Sequence, residues 1–221
     1  MTADGISVVI PAHNAARFLA EAVASVRAQT LPAAEIIVVD DGSTDETAPL
    51  ARQLGVKLLA QKQAGAGAAR NRGAEAATGE WLAFLDADDL WTPEKLASQR
   101  TAMRDQPGTE VVFGYGANFW IDERGARQED EFRPAFLPGA AFLRREFFLS
   151  RARFNANVAP SEVVEWYLRL RAGKAVISVL PQLMLLRRLH ETNTRQQGDG
   201  GRALDLRLVR EWIERQRSGK P

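Results

Sequence analysis

The chain contains no cysteine, which removes disulfide cross-links, thiolate metal sites and cysteine nucleophiles from consideration. That absence fits a reducing compartment, and a cytoplasmic location is the expectation. No uninterrupted apolar run approaches the ~18 residues of a membrane span, so a soluble chain is expected. The first residues, MTADG, lack a basic stretch followed by an apolar one, and no secretory leader is expected. Histidine is scarce, at 2 residues, which limits histidine-based catalysis. A net charge of only +1 disfavours general attraction to nucleic acid. No GxGxxG fingerprint follows the first apolar run, no Walker A sequence occurs, and there is no G-x-S-x-G elbow. Dinucleotide oxidoreductases, P-loop enzymes and α/β-hydrolases are thereby disfavoured.

The 221 residues are 45% hydrophobic and 26% charged, a globular balance that fits a single domain with its own core. Charge is unevenly spread. Residues 1–120 carry 10 Lys+Arg against 15 Asp+Glu, whereas residues 121–221 carry 19 against 13. A solvated basic face on the second half accounts for this, and such a face is compatible with a phosphorylated ligand or peripheral membrane association.

The first half repeats one theme. Short β-branched runs at residues 6–10, 35–39, 56–60 and 80–85 predict strands. Between them lie helical patterns, one carrying Phe18, Leu19, Ala22, Val23 and Val26 on a single face and one spanning the Ala-rich residues 65–77. Residues 43–46, STDE, read as a capping box, and Pro93 suits the first turn of a helix over residues 93–105. Strands alternating with helices predict an α/β fold with a parallel sheet, buried on both faces. In such sheets ligands bind outside the carboxyl ends of the strands. His13, Asp41 and the cluster Asp86–Asp89 all fall there.

The second half is less regular. Residues 110–114 and 117–121 predict two short strands, 139–149 a helix, 160–172 an amphipathic helix, 175–180 and 183–186 two strands around Pro181, and 203–217 a final helix. Residues 1–105 thus read as the regular half of one domain, with the ligand-binding edge, and residues 106–221 as its less regular half.

Asp86, Asp88 and Asp89 place three carboxylates in four residues, which repel one another if all are ionised and partly buried. A divalent cation relieves that repulsion, and an all-oxygen donor set points to Mg²⁺ or Mn²⁺, whose open positions suit a diphosphate. An acidic turn capping the next helix accounts for the cluster equally well. Asp41 reads either as an acceptor for the imide N–H of a nucleobase or as a helix cap. Arg70, within the Ala-rich helix, is placed to reach a phosphate, while Arg72 reads as solvent-exposed.

Four strings carry a family resemblance: residues 7–14, SVVIPAHN; 38–45, VVDDGSTD; 69–73, ARNRG; and 79–89, GEWLAFLDADD. In this order and spacing they resemble family 2 glycosyltransferases of the GT-A fold, over about residues 5–105. The resemblance implies a Rossmann-like, mostly parallel central sheet flanked by helices. It also implies a nucleotide-sugar donor (UDP-sugars favoured), a divalent metal at an Asp-x-Asp motif, and usually inversion at the anomeric carbon. Pro11, His13 and Asp41 would line the base pocket. Arg70 or Asn71 would lie near the ribose or diphosphate, and Asp86 with Ala87 on the ribose side. Asp88 would hold the metal, with Asp89 a rival, and His190 reads as a partly buried, hydrogen-bonded residue or as a contact to metal or diphosphate. The acceptor implied by family habit is a saccharide or lipid-linked intermediate of envelope or surface polysaccharide, which would put the protein at the inner face of a membrane.

The second half departs from the pattern. Residues 161–170, SEVVEWYLRL, are similar to the family segment that carries the catalytic carboxylate, but the position of the base Asp reads Val163. The acidic pair upstream reads Asn155-Ala156. Inverting transfer needs a carboxylate beside the acceptor hydroxyl. Glu162 is the first substitute and Glu165 the second, Glu162 being equally readable as a helix N-terminal carboxylate. A nucleotide-sugar-binding homologue with weak or lost activity is the rival reading. Arg187 and Arg188 are candidates for neutralising a leaving diphosphate. Trp166 and Trp120 read as core or as platforms for sugar rings.

Overall fold

The computed structural model describes residues 5–158 and 161–190. The predicted helix at 203–217 lies outside them. In chain order the elements are β1 (Ile6–Ala12), α1 (Leu19–Arg27), β2 (Glu35–Asp41), α2 (Thr47–Gln53), β3 (Lys57–Gln61), α3 (Ala66–Ala76), β4 (Trp81–Phe84) and β5 (Leu90–Trp91). There follow α4 (Lys95–Asp105), β6 (Val111–Ile121), β7 (Arg127–Glu129), β8 (Arg133–Pro134), β9 (Ala141–Arg144), α5 (Arg145–Arg151), α6 (Glu162–Ala172) and β10 (Ile177–Arg188).

One sheet runs through both halves in the order β3-β2-β1-β4-β9-β6-β10-β5, with β7 and β8 paired to β6. The first four strands in that order are parallel, as the alternation of strands and helices predicts. Beyond β4 the sheet is mixed: β9 runs antiparallel to both β4 and β6, β10 lies parallel to β6, and β5 closes the edge antiparallel to β10. Period-two alternation sorts the strand side chains into two cores. Val8 and Ile10 face α1, α2 and α4, where Leu19, Ala22, Val23, Val26 and Leu96 are buried. Val9, Val39 and Phe84 face α3, α5 and α6, where Ala69, Phe148, Trp166 and Leu170 are buried. Each fully buried Leu or Val in these layers contributes about 1.5–3 kcal/mol.

Four expectations are corrected. The two strands expected at 110–114 and 117–121 are one, β6. Gly114 does not end the strand but marks a close approach: a Cβ there would lie 2.3 Å from Met184 Sδ. The helix expected over 139–149 is a 3-10 turn at Pro138–Ala140, then β9, then α5. Its first part is short and apolar, and it is claimed by the gap between β4 and β6. The strands around Pro181 are one, β10, with register shifts between Val179 and Leu185 that accommodate the proline's missing N–H. The STDE capping box is not made either. The N-cap residue of α2, Glu46, makes no side-chain cap bond; Asp45 Oδ1 accepts from Thr47 N at 3.0 Å in the turn before the helix, while Ser43 Oγ accepts from Asn14 N at 2.9 Å.

Candidate active site

The carboxyl ends of β1 and β2 and the loops after them are laced together by side chains. Asn14, with φ at 49°, turns the chain out of β1, and its Oδ1 accepts from Thr44 N at 2.8 Å. Ala15 N donates to Thr47 Oγ1 and Ala16 N to Asp45 Oδ2. Pro11 is buried at the end of β1, where its missing N–H costs little: Leu85 N donates to Val9 O, and β4 stops there. Asp41, 3% exposed, accepts from Gln61 Nε2 at 2.7 Å, Ala64 N at 2.8 Å and Gly65 N at 2.8 Å. It therefore fixes the loop that leads into α3. His13 is exposed above it. Its Nδ1 lies 2.9 Å from Asp41 O, a pure acceptor, which puts the proton on Nδ1 and leaves Nε2 to accept from Gln63 Nε2 at 3.2 Å.

The acidic cluster follows β4. Asp86 and Asp88 keep side-chain exposures of 40% and 30%, so both face the crevice. Asp89 is turned inward. It is 5% exposed, and its Oδ1 accepts from Arg188 N at 3.0 Å. Burial, then the charges of Asp88 and Asp86, hold its carboxyl well above the usual carboxylate range. The last strand residue, Arg188, locks the cluster in place: Nε donates to Asp88 O at 3.0 Å and Nη2 to Glu21 Oε2 at 2.8 Å. Its guanidinium lies between the rings of Phe18 and Phe119. His190 packs on Phe18, and its Nε2 stands 3.0 Å from Asp88 Oδ2.

A second convergence lies where α3 meets α6. Arg70 is 2% exposed, and its Nη2 donates to Asp86 Oδ1 at 2.5 Å. Its Nη1 stands 3.9 Å from Glu162 Oε1, and the guanidinium packs on the Phe154 ring. Asn71 clamps Phe154 from both sides, Nδ2 donating to Phe154 O at 2.8 Å and Oδ1 accepting from Phe154 N at 2.9 Å. Neighbouring carbonyls are pinned in the same manner. Trp166 Nε1 donates to Ala152 O, and Arg169 donates to Arg151 O and Arg153 O.

A family model described as Glycosyl transferase family 2 matches residues 7–157. The chain belongs to glycosyl transferase family 2. An uncharacterized glycosyltransferase of Nostoc sp. is 50% identical over 97 residues, covering 41% of this chain and 30% of that protein. TuaG of Bacillus subtilis, a glycosyltransferase named for teichuronic acid biosynthesis, is 37% identical over 117 residues, covering 50% of this chain and 46% of the relative. The chain thus spans less than half the length of either. The S. aureus TarS 1-349 structure in complex with UDP-GlcNAc matches with a TM-score of 0.70 at 21% identity, over 95% of this chain and 66% of that one. The shared fold is GT-A.

Within this family 2 frame, the strand-end residues Pro11, His13, Asp41, Asp86, Ala87 and Asp88 lie along one edge, as their spacing predicts. Both ends of the Asn71 amide serve Phe154. Arg188 is committed to Glu21 and Asp88 O, whereas Arg187 is half-buried and lies 3.5 Å from Asn118 Oδ1. Glu165 is held by Arg169 at 2.8 and 3.2 Å. Trp166 is fully buried core, Trp120 is 37% exposed, and Arg72 is exposed as expected. For a divalent ion the fit is partial. Asp88 and His190 offer one carboxylate oxygen and one imidazole nitrogen side by side, while Asp89 points inward, and among the described residues no group of three or more such donors forms. Sequence reasoning missed Gln61, Phe154 and Arg169. Only Arg169 left a signal, an i,i+4 pair with Glu165.

Proposed function

We propose that this protein binds a nucleoside-diphosphate sugar, with UDP-sugars favoured, across the ends of β1, β2 and β4, and passes the sugar to an acceptor hydroxyl with inversion. The observation that carries this reading is the meeting of donor-side and acceptor-side carboxylates at one guanidinium: Arg70 holds Asp86 at 2.5 Å and faces Glu162 at 3.9 Å. TarS, with its UDP-GlcNAc complex, supports a UDP-sugar donor on the same fold. Pro11, His13 and Asp41 frame the base, and Asp86 and Ala87 face the ribose. Asp88 and His190 would hold Mn²⁺ or Mg²⁺, which when bound supplies positive charge against the leaving diphosphate. Glu162 takes the proton of the acceptor hydroxyl as the new C–O bond forms and the bond to the diphosphate breaks. It replaces the carboxylate missing at Val163, and Glu165 is set aside because Arg169 occupies both its oxygens. The name of TuaG supports a surface-polysaccharide acceptor, saccharide or lipid-linked. A lipid-linked one would bring the protein to the inner membrane face.

Calorimetric titration of UDP, GDP and dTDP, with and without Mn²⁺, tests the donor. UDP is expected to bind, more tightly with Mn²⁺, and Asp88→Ala is expected to remove the Mn²⁺ effect while the fold is kept. No binding of any of the three by folded protein would overturn the reading. Glu162→Gln is expected to keep UDP binding and to lose transfer, and UDP-GlcNAc hydrolysis, by about 10²–10⁴-fold. Full activity in that variant moves the base elsewhere. Binding without hydrolysis or transfer by the native protein establishes the weak or inactive homologue instead.

A further inference from the structure

Among the described residues, the buried side-chain polar atoms without a hydrogen-bond partner are Arg70 Nε, Arg70 Nη1 and Glu162 Oε2. All belong to one pair. At 3.9 Å the pair is too long for a hydrogen bond, and an unclosed buried ion pair is unfavourable for both members. Arg70 is meanwhile bound at its other end to Asp86, whose side chain is 40% exposed against 3% for Arg70 and 10% for Glu162. Asp86 is therefore the member of this chain of groups that a ligand's hydroxyls reach.

We infer that Arg70 is a positioning residue that transmits occupancy of the donor side to Glu162: a ligand that engages Asp86 loosens its hold on Nη2, and the guanidinium closes on Glu162. The link deepens the proposal that Glu162 is the base and rests on it. Its direction follows from differential contact, since only the liganded state offers Asp86 an alternative partner. The surroundings confine the movement. The guanidinium lies on Phe154, 5.1 Å from the ring centre, and the Phe154 backbone is clamped by Asn71. Gly67, in the first turn of α3, admits the Glu162 side chain so closely that a Cβ there would stand 3.1 Å from Glu162 Cγ. The first turn of α6 is thus in direct register with α3. A lysine at position 70 keeps the charge but has a single ammonium in place of the fork, so it cannot serve both carboxylates in the same geometry.

The test uses methyl NMR of Val163 and Val164, the two residues after Glu162, with UDP as the probe. In the native protein, saturating UDP is expected to shift both valines. Arg70→Lys is expected to bind UDP within about tenfold of the native affinity yet to leave the two valines unmoved. Asp86→Asn, a change on the exposed side, is expected to shift the same methyls with no ligand present, because it releases Arg70 toward Glu162. A merely structural arginine would give neither pattern. UDP-bound native protein with unshifted valines, or equal shifts in Arg70→Lys, overturns the inference. If Arg70→Lys does not fold, Asp86→Asn decides alone, and unmoved methyls refute the link. Failure of UDP to bind refutes the donor reading instead, and the ligand-free comparison still judges the coupling.

Discussion

Gly73 sits in the interior of α3, where a glycine ordinarily costs about 1 kcal/mol relative to alanine. Gly73→Ala would therefore stabilise the chain if α3 were exposed at that point. It is not. A Cβ on residue 73 would lie 2.3 Å from Val9 Cγ1, and 3.1 Å from both Val9 Cγ2 and Val39 Cγ2. Carbon atoms prefer separations of about 3.5–4.0 Å, so the closest contact is short by more than 1 Å. Val9 is fully buried on β1, between β2 and β4, and its branched side chain has no spare rotamer in a packed core. Relief comes only from lifting α3 off the sheet. Overpacking of this kind costs about 1–3 kcal/mol, and set against the propensity gain of about 1 kcal/mol the expected net loss is up to about 2 kcal/mol. For a chain of this size that lowers the Tm by up to about 8 °C. Urea unfolding followed by far-UV circular dichroism should show a lower midpoint with an unchanged slope. In a Val9→Ala background both Val9 Cγ atoms are gone and only the 3.1 Å contact to Val39 Cγ2 remains, so the same glycine replacement should cost clearly less. A Gly73→Ala midpoint at or above native, or an equal loss in the Val9→Ala background, would refute the packing argument.

Lys95 is fully buried on α4, with Nζ donating to Gln99 Oε1 at 2.7 Å and to Ala141 O at 3.2 Å over the Trp91 ring, and burial holds its ammonium well below the usual lysine value. The unfolded chain then binds the extra proton between that lowered value and about 10.4, so stability should rise with pH across that window; urea midpoints for Lys95→Met should lose this rise. Asp41→Asn turns an amide donor toward the N–H groups of Ala64 or Gly65, and is expected to cost about 1–3 kcal/mol in urea unfolding and to weaken UDP binding in calorimetry. An unchanged UDP affinity would detach the β3–α3 loop from the base pocket. Trp166→Phe strands the buried Ala152 carbonyl and should cost about 1–3 kcal/mol, read by thermal melting.

The parallel half of the sheet was legible because each strand there is a continuous apolar run closed by polar residues, and each helix has one apolar stripe. The run at residues 6–10 is met by neighbours on both sides, so period and burial agree. The mixed half was not legible for the converse reason. Residues 141–144 are an apolar stretch too short to favour strand over helix by periodicity, and only the open edge of β4 decides it. Gly114 and Pro181 carry ordinary turn signals, yet one is small because Met184 crosses it and the other sits at a bulge. Turn chemistry read locally gives way where a long-range neighbour needs the same residue.

The site divides along the same line. Strand-end carboxylates can be found from sequence because topology alone puts them on one edge, but their allegiance cannot. Asp88 and Asp89 are adjacent and chemically identical, and they separate because β10 passes behind them and offers Arg188 N to Asp89 alone. Glu162 and Glu165 are one helical turn apart, and they separate because Arg169 is within reach of Glu165, while Gly67 makes room for Glu162 beside Arg70. The partners of Asp89 and Glu162 are distant in sequence, and only the Arg169 that holds Glu165 is local. The proposed base follows the same logic: Val163 carries no carboxylate, and Gly67 leaves Glu162 the room to face the arginine that holds Asp86.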